Sequence, residues 1–353
     1  MPASTPVREL RFSQAINEAT DLCMAADPRV QIMGLGVPDP KGIFGTTGGL
    51  QAKYGAERVS DLPCSENGMT GLAIGCALAG MRPILTHQRL DFAVLSLEQI
   101  VNQAAKWHYM FGGRMRVPLV IRMLIGRGWG QGPQHSQSLQ AWFAHVPGLK
   151  VVMPGTPHDA KGLLIASIED DNPVMFIEHR WLYNISGPVP EEMFRVPLGK
   201  ARVLRDGTDV TFVSTSYMTL EAHRAAEILA SHGVSAEIVD VRSLRPLDED
   251  TILKSVAKTG RVIVTDTGWK TLGFAAEILA RIAEEGIALK ARPHRVCLPD
   301  SPTPTSPALA AHYYPRAVDL ISAATMMLGL PAIPMAQATI PLDIPDATFT
   351  GPF

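Results

Sequence analysis

Short, mainly apolar runs rich in Val, Ile and Leu punctuate the first half of the chain, at 30–33, 83–85, 119–124, 151–154 and 174–177. None shows the in-and-out alternation of a strand with one wet face. Runs of this kind predict strands buried on both faces, as in parallel sheets. Between them the period changes to that of a helix. Leu97, Ile100, Val101, Ala104 and His108 fall at i, i+3, i+4, i+7 and i+11, while Glu98, Asn102, Gln103 and Lys106 take the opposite face. Gly112 and Gly113 close the pattern, so an amphipathic α-helix is predicted there. Residues 11–26 and 159–168 read as helices in the same way. Strands alternating with helices predict an α/β domain.

A second α/β series follows a proline-rich passage at 187–197. Strands are expected at 210–214, 236–241 and 262–265, and helices at 220–230 and 248–257. Phe274, Ile278 and Ile282 repeat every four residues before Gly286, which marks a further helix and its stop. The expected division is 1–190 for the first domain, 191–330 for the second, and 331–353 for a proline-rich extended tail. A length of 353 residues accommodates two such domains. No internal repeat interrupts them.

Composition removes several classes of function. Lys and Arg number 32 against 34 Asp and Glu, a formal charge of −2, so the basic excess that nucleic acids and anionic membranes attract is missing. The most apolar stretch, 72–85, is too short to span a bilayer and contains Arg82 and Pro83. The first ten residues lack the pattern of a secretory signal. Cys23, Cys64, Cys76 and Cys297 form no CxxC pair, which argues against a zinc knuckle or a disulfide frame and for a reducing, cytoplasmic setting. Phosphate-loop, HExxH and GxSxG motifs are all missing from the sequence.

Two segments carry candidate chemistry. Asp61 to Gly71 leads into a helix of small residues, with Glu66 at its mouth. A carboxylate beside an apolar helix is poorly solvated, and desolvation moves carboxyl groups toward useful acid-base range; a simple N-terminal helix charge is the competing reading. The second segment alternates glycines from Gly126 to Gly132, with Arg127 and Trp129 among them, and runs on to His135 at the expected start of a helix. Alternating glycines allow close approach of backbone to a ligand, although on their own they equally describe a flexible turn.

The strings Glu66-Asn67-Gly68-Met69-Thr70-Gly71, Glu98-Gln99-Ile100-Val101-Asn102-Gln103, Gln134-His135-Ser136-Gln137-Ser138 and Pro147-Gly148-Leu149-Lys150 occur here in one order. Together they closely resemble the β subunits of thiamine-diphosphate-dependent first components of 2-oxo acid dehydrogenases, of the pyruvate, acetoin and branched-chain type, within the transketolase-like superfamily. The resemblance implies a pyrimidine-type thiamine-diphosphate-binding domain with a parallel sheet, then a transketolase C-terminal-like α/β domain. Glu66 matches the glutamate that hydrogen-bonds N1′ of the aminopyrimidine and favours the tautomer whose 4′-nitrogen takes the C2 proton. Phe92 matches the aromatic residue packed on the pyrimidine, and Gln88 falls beside it among the cofactor contacts. His135 matches the histidine on the substrate side, active in acyl transfer. Leu119, Ser167, Asp170 and Asn172 match positions that surround a potassium ion in some members.

The Gly-Asp-Gly string through which the superfamily holds Mg²⁺ and the diphosphate is missing from this chain. The resemblance therefore implies an α subunit that supplies that half, in an α2β2 heterotetramer, with a lipoyl-bearing acyltransferase as a further partner. The expected activity is decarboxylation of a 2-oxo acid and transfer of the acyl group to lipoamide. A split transketolase-like enzyme moving a ketol unit is one alternative, and a noncatalytic regulatory or scaffold paralogue is another. Thr86-His87-Gln88-Arg89 and Arg127 depart from the family strings and make the expected site wall polar and basic, which favours a hydroxylated or acidic substrate. Thr265-Asp266-Thr267-Gly268-Trp269 departs likewise, replacing the commoner Val-Glu-Gly-Gly-Trp.

Overall fold

A computed structural model describes residues 7–128 and 130–334. Trp129 of the glycine run and nearly all of the proline-rich tail lie outside the described residues; Pro331 to Pro334 have no regular structure. The chain forms two compact units. One comprises residues 7–125 with Trp142–Leu198, and the other Gly126–Ala141 with residues 199–334.

The first unit runs β1 (Val7–Arg11), α1 (Phe12–Ala26), β2 (Val30–Met33), α2 (Leu50–Tyr54), β3 (Val59–Ser60), α3 (Glu66–Leu78), β4 (Arg82–His87), α4 (Leu90–Ala93), α5 (Ala105–Met110), β5 (Val120–Ile125), α6 (Gln140–His145), β6 (Lys150–Val152), α7 (Pro157–Glu169), β7 (Val174–His179) and β8 (Ser186–Pro190). Its strands form a parallel sheet in the order β6-β7-β5-β4-β2-β3, and β1 pairs antiparallel with β8. Every residue of β5 and of β7 is buried, as unalternating apolar runs require. Helix α1 packs on α7, and α3 packs on β4.

Arg122 sits in the middle of β5 with no exposure. Its Nε lies 2.6 Å from Glu178 Oε1 on the neighbouring strand, and its Nη2 reaches Glu178 Oε2 at 2.9 Å and Thr46 Oγ1 at 3.0 Å. Tyr183 donates its hydroxyl to the same carboxylate at 2.6 Å. Buried charges survive when an opposite charge or hydrogen bonds satisfy them, and here both do.

One helix differs from its expected form. Between α4 and α5 the chain passes through a 3-10 turn, Val94–Ser96, and then a π-helix, Gln99–Ala104. The wider π turn buries Ile100, Ala104 and Ala105 and leaves His108 exposed, whereas an unbroken 3.6 period would have kept His108 on the buried stripe.

The second unit continues with β9 (Arg202–Arg205), β10 (Val210–Ser214), α8 (Tyr217–Ser231), β11 (Ala236–Asp240), β12 (Ser243–Arg245), α9 (Glu249–Thr259), β13 (Val262–Trp269), α10 (Phe274–Glu284), β14 (His294–Leu298), α11 (Pro307–Ala310) and α12 (Ala317–Leu328). Its five-stranded sheet has the order β14-β13-β10-β11-β9, parallel except for β9. Asp248 caps α9 by accepting from the Thr251 amide, and Gly260 ends the helix in the left-handed conformation. No helix of the described residues is long and apolar enough to cross a membrane.

Candidate active site

Ligands of parallel α/β sheets gather at the carboxyl ends of the strands. In the first unit those ends carry a pocket open to solvent, with Gly34 and Leu35 after β2, Thr86, His87 and Gln88 at the end of β4, and Glu66 and Met69 on α3. Leu62, Pro63, Leu85 and Phe92 complete its wall. Gly34 is required here, because a Cβ at that position would overlap the carbonyl oxygen of Thr86.

Glu66 is the first residue of α3, where the helix dipole favours a carboxylate. It is only half-buried, and the Cys64 thiol donates to its Oε1 at 3.8 Å. The poor solvation expected of this acid is therefore not supplied by this chain alone. Met69, one turn along, is buried beneath it. The Gln88 amide donates to the Leu35 carbonyl at 3.0 Å and so braces the loop after β2. Thus Glu66, Gln88 and Phe92, the cofactor contacts that the resemblance implies, line one pocket.

The polar wall has a different character from the expected one. His87 is only 6% exposed, its Nε2 is buried without a hydrogen-bond partner, and burial pushes its pKa down to about 4. It is a neutral imidazole at physiological pH. Thr86 Oγ1 is also buried and unpartnered. Arg89 is buried over the Phe44 ring, 6.0 Å from its centroid. Arg127 is fully buried and donates through Nε to the Gln131 carbonyl at 3.1 Å and through Nη2 to the Thr305 carbonyl. Arg89 and Arg127, expected in that wall, are not among the residues that line the pocket, and both brace protein groups.

His135 lies in a turn, half-buried, with its amide donated to the Gly132 carbonyl at 3.2 Å. The helix expected to start there begins only at Gln140. The segment carrying it packs with the second unit.

The four positions matched to a potassium site are committed to protein partners. The Leu119 carbonyl accepts from the Val174 amide at 2.9 Å, and the Ser167 carbonyl from the Asp170 amide at 3.3 Å. The Asp170 carboxylate is paired with Lys150 and accepts from the Asn172 amide at 2.8 Å. Arg82 donates to the Ile168 and Asp170 carbonyls, each at 3.0 Å. A cation here would share these oxygens with Arg82 and Lys150.

Two family models match the chain: the transketolase pyrimidine-binding domain over residues 8–186 and the transketolase C-terminal domain over residues 199–320. Fold and site thus define a protein with the paired domains of transketolase-like enzymes. A solved structure described as a split-gene transketolase, inactive β4 tetramer, shares this fold with a TM-score of 0.74, covering 91% of this chain and 99% of that one at 23% identity. Curated relatives are nearer. The β subunit of acetoin:2,6-dichlorophenolindophenol oxidoreductase from Cupriavidus necator is 46% identical across 90% of this chain and 97% of its own. Its Bacillus subtilis counterpart is 41% identical across 92% and 99%. The mitochondrial pyruvate dehydrogenase E1 component subunit β-1 of Arabidopsis thaliana is 42% identical across 90% and 88%. The chain belongs to this family of E1 β subunits of 2-oxo acid dehydrogenase complexes.

Proposed function

We propose that the chain supplies the aminopyrimidine-binding half of a heteromeric thiamine-diphosphate enzyme, a first component that decarboxylates a 2-oxo acid and passes the acyl group to lipoamide on an acyltransferase component. The observation that carries this is the convergence of Glu66, Phe92 and Gln88 on one pocket at the carboxyl edge of the sheet. The pocket suits a planar heterocycle: apolar Met69, Leu85 and Phe92 for its faces, and a carboxylate and an orphaned imidazole for its polar edge.

Thiamine diphosphate, when bound, supplies the carbanion chemistry. Glu66 would hold the ring nitrogen through its carboxylate, Phe92 would pack on the ring, and Gln88 would keep the β2 loop in place. His135 would move a proton on the substrate side. Mg²⁺ and the diphosphate fall to an α subunit, because this chain has no Gly-Asp-Gly string. Potassium at Leu119, Ser167, Asp170 and Asn172 would share the oxygens around Asp170 with Lys150.

The substrate inference narrows. Arg89 and Arg127 brace protein groups and His87 is neutral, so the support for an acidic substrate falls away, while Thr86 and His87 still favour one that offers hydrogen bonds. Calorimetry with thiamine diphosphate and Mg²⁺ should show no tight binding by the chain alone and stoichiometric binding once its α chain is added. Tight Mg²⁺-dependent binding by the chain alone would overturn the split site. With the complex, turnover of ketose phosphates in place of 2-oxo acids would move it to the transketolase-like alternative.

A further inference from the structure

Gly126–Ala141 lies inside the stretch matched by the pyrimidine-domain model, yet it packs with the second unit. Two anchors hold it there. At its start, the buried Arg127 guanidinium donates to the Thr305 carbonyl, and Gly132 approaches Thr305 so closely that a Cβ would overlap the threonine Oγ1. At its end, Gln140 Nε2 donates to Asp266 Oδ1 at 2.9 Å.

The second anchor is built around an isolated carboxylate. Asp266 on β13 is 1% exposed and has no ion-pair partner among the described residues. It accepts from Thr215 Oγ1 at 2.8 Å, from the backbone amides of Thr267 and Gly268, and from Gln140. A buried carboxylate without a counter-ion depends on such donors, and hydrogen bonds to a charged group are the strong ones. Burial pushes the Asp266 carboxyl pKa up while these donors hold it down, and the nitrogen end of the Gln140 amide faces the carboxylate, which in its ionised form only accepts. The other end, Oε1, is buried with no partner. That oxygen is a cost which a merely packed side chain would not carry, and the bond to Asp266 offsets it.

His135 lies between the anchors, three residues after Gly132 and five before Gln140. We infer that Gln140, held by Asp266, is a positioning residue for His135: it fixes the far end of the turn and thereby the place of the imidazole during group transfer. This rests on the proposed role of His135, and the test separates the two. A misplacement of about 1 Å at a reacting group costs up to about a hundred-fold in rate.

The test uses the chain co-purified with its α partner. Gln140→Leu keeps the bulk and removes the donor. Amide hydrogen exchange across residues 131–139 should speed up, acyl transfer should fall by about ten-fold or more, and exchange of the cofactor's C2 proton should stay at the wild-type rate. Introduced into His135→Ala, the same change should cause no further loss of transfer, since its effect passes through the histidine. Unchanged loop exchange, or losses that multiply in the double variant, would overturn the inference. Full transfer activity in His135→Ala alone would instead overturn the role of the histidine and, with it, the catalytic part of the inference. If Gln140→Leu does not assemble, Gln140→Asn, shorter by one methylene, is read in the same way.

Discussion

The buried imidazole of His87 ties the stability of the first unit to pH in a direction that can be worked out. Its folded pKa is about 4, against 6.5 for the free side chain, and burial alone is responsible. Between those values the unfolded chain binds a proton that the folded chain refuses. Stability is therefore complete above about pH 6.5 and is lost as pH falls toward 4. The full difference is about 3 kcal/mol, of which about 2 kcal/mol is expressed at pH 5. His87→Leu removes the titration and also removes an orphaned buried nitrogen, so the variant should be at least as stable as the wild type at pH 7.5. Urea unfolding of both chains at pH 7.5 and pH 5, read on the transition that melts the first sheet, measures the effect. Amide exchange in β4 and β5 reports the same free energy locally. The wild type should lose about 2 kcal/mol more than the variant between the two pH values. Equal losses in both would show that the imidazole is solvated and would remove the neutral wall from the argument.

Two other outcomes probe the site and its frame. Glu66→Gln in the assembled enzyme should slow C2 proton exchange of bound thiamine diphosphate, followed by NMR, by about a hundred- to ten-thousand-fold; unchanged exchange in a folded, assembled variant would reduce Glu66 to a helix charge. Arg122→Met should leave Glu178 buried without its cation and lower stability by about 3–5 kcal/mol in denaturant titrations, whereas a cost below about 1 kcal/mol would mean that water reaches the pair.

The strands were readable because burial on both faces leaves a mark in one dimension: the five apolar runs of the first domain all fall on strands of one sheet. The same logic hid the Arg122–Glu178 pair, since a charge in the middle of an apolar run finds its partner 56 residues away, through a pairing that only the sheet order reveals. Glu66, Phe92 and Gln88 were found through strings matched to a family, and their spacing alone would not have joined them. His87 was visible as a residue type and misjudged as a charge, because desolvation depends on neighbours from several elements. The turn around His135 was expected to open a helix; Gln140, five residues later, has the anchored amide that starts it, and nothing in the local sequence announces Asp266 as its acceptor.

The π-helix at Gln99–Ala104 has a consequence for how this chain can be edited. Each residue of an α-helix advances the face by about 100°, and a π turn accommodates one residue more than an α turn does. Deleting a single residue within 99–104 would let the segment close into regular α-helix while Ala105 to Met110 keep their facing, because the residue removed is the one that the π turn absorbs. Ala105, now buried, would keep its place, and Tyr109 and Met110 would still point outward. The π turn thus works as a buffer for one residue: a one-codon deletion at this point leaves the following surface in phase, whereas the same deletion in a regular α-helix would rotate it by about 100°.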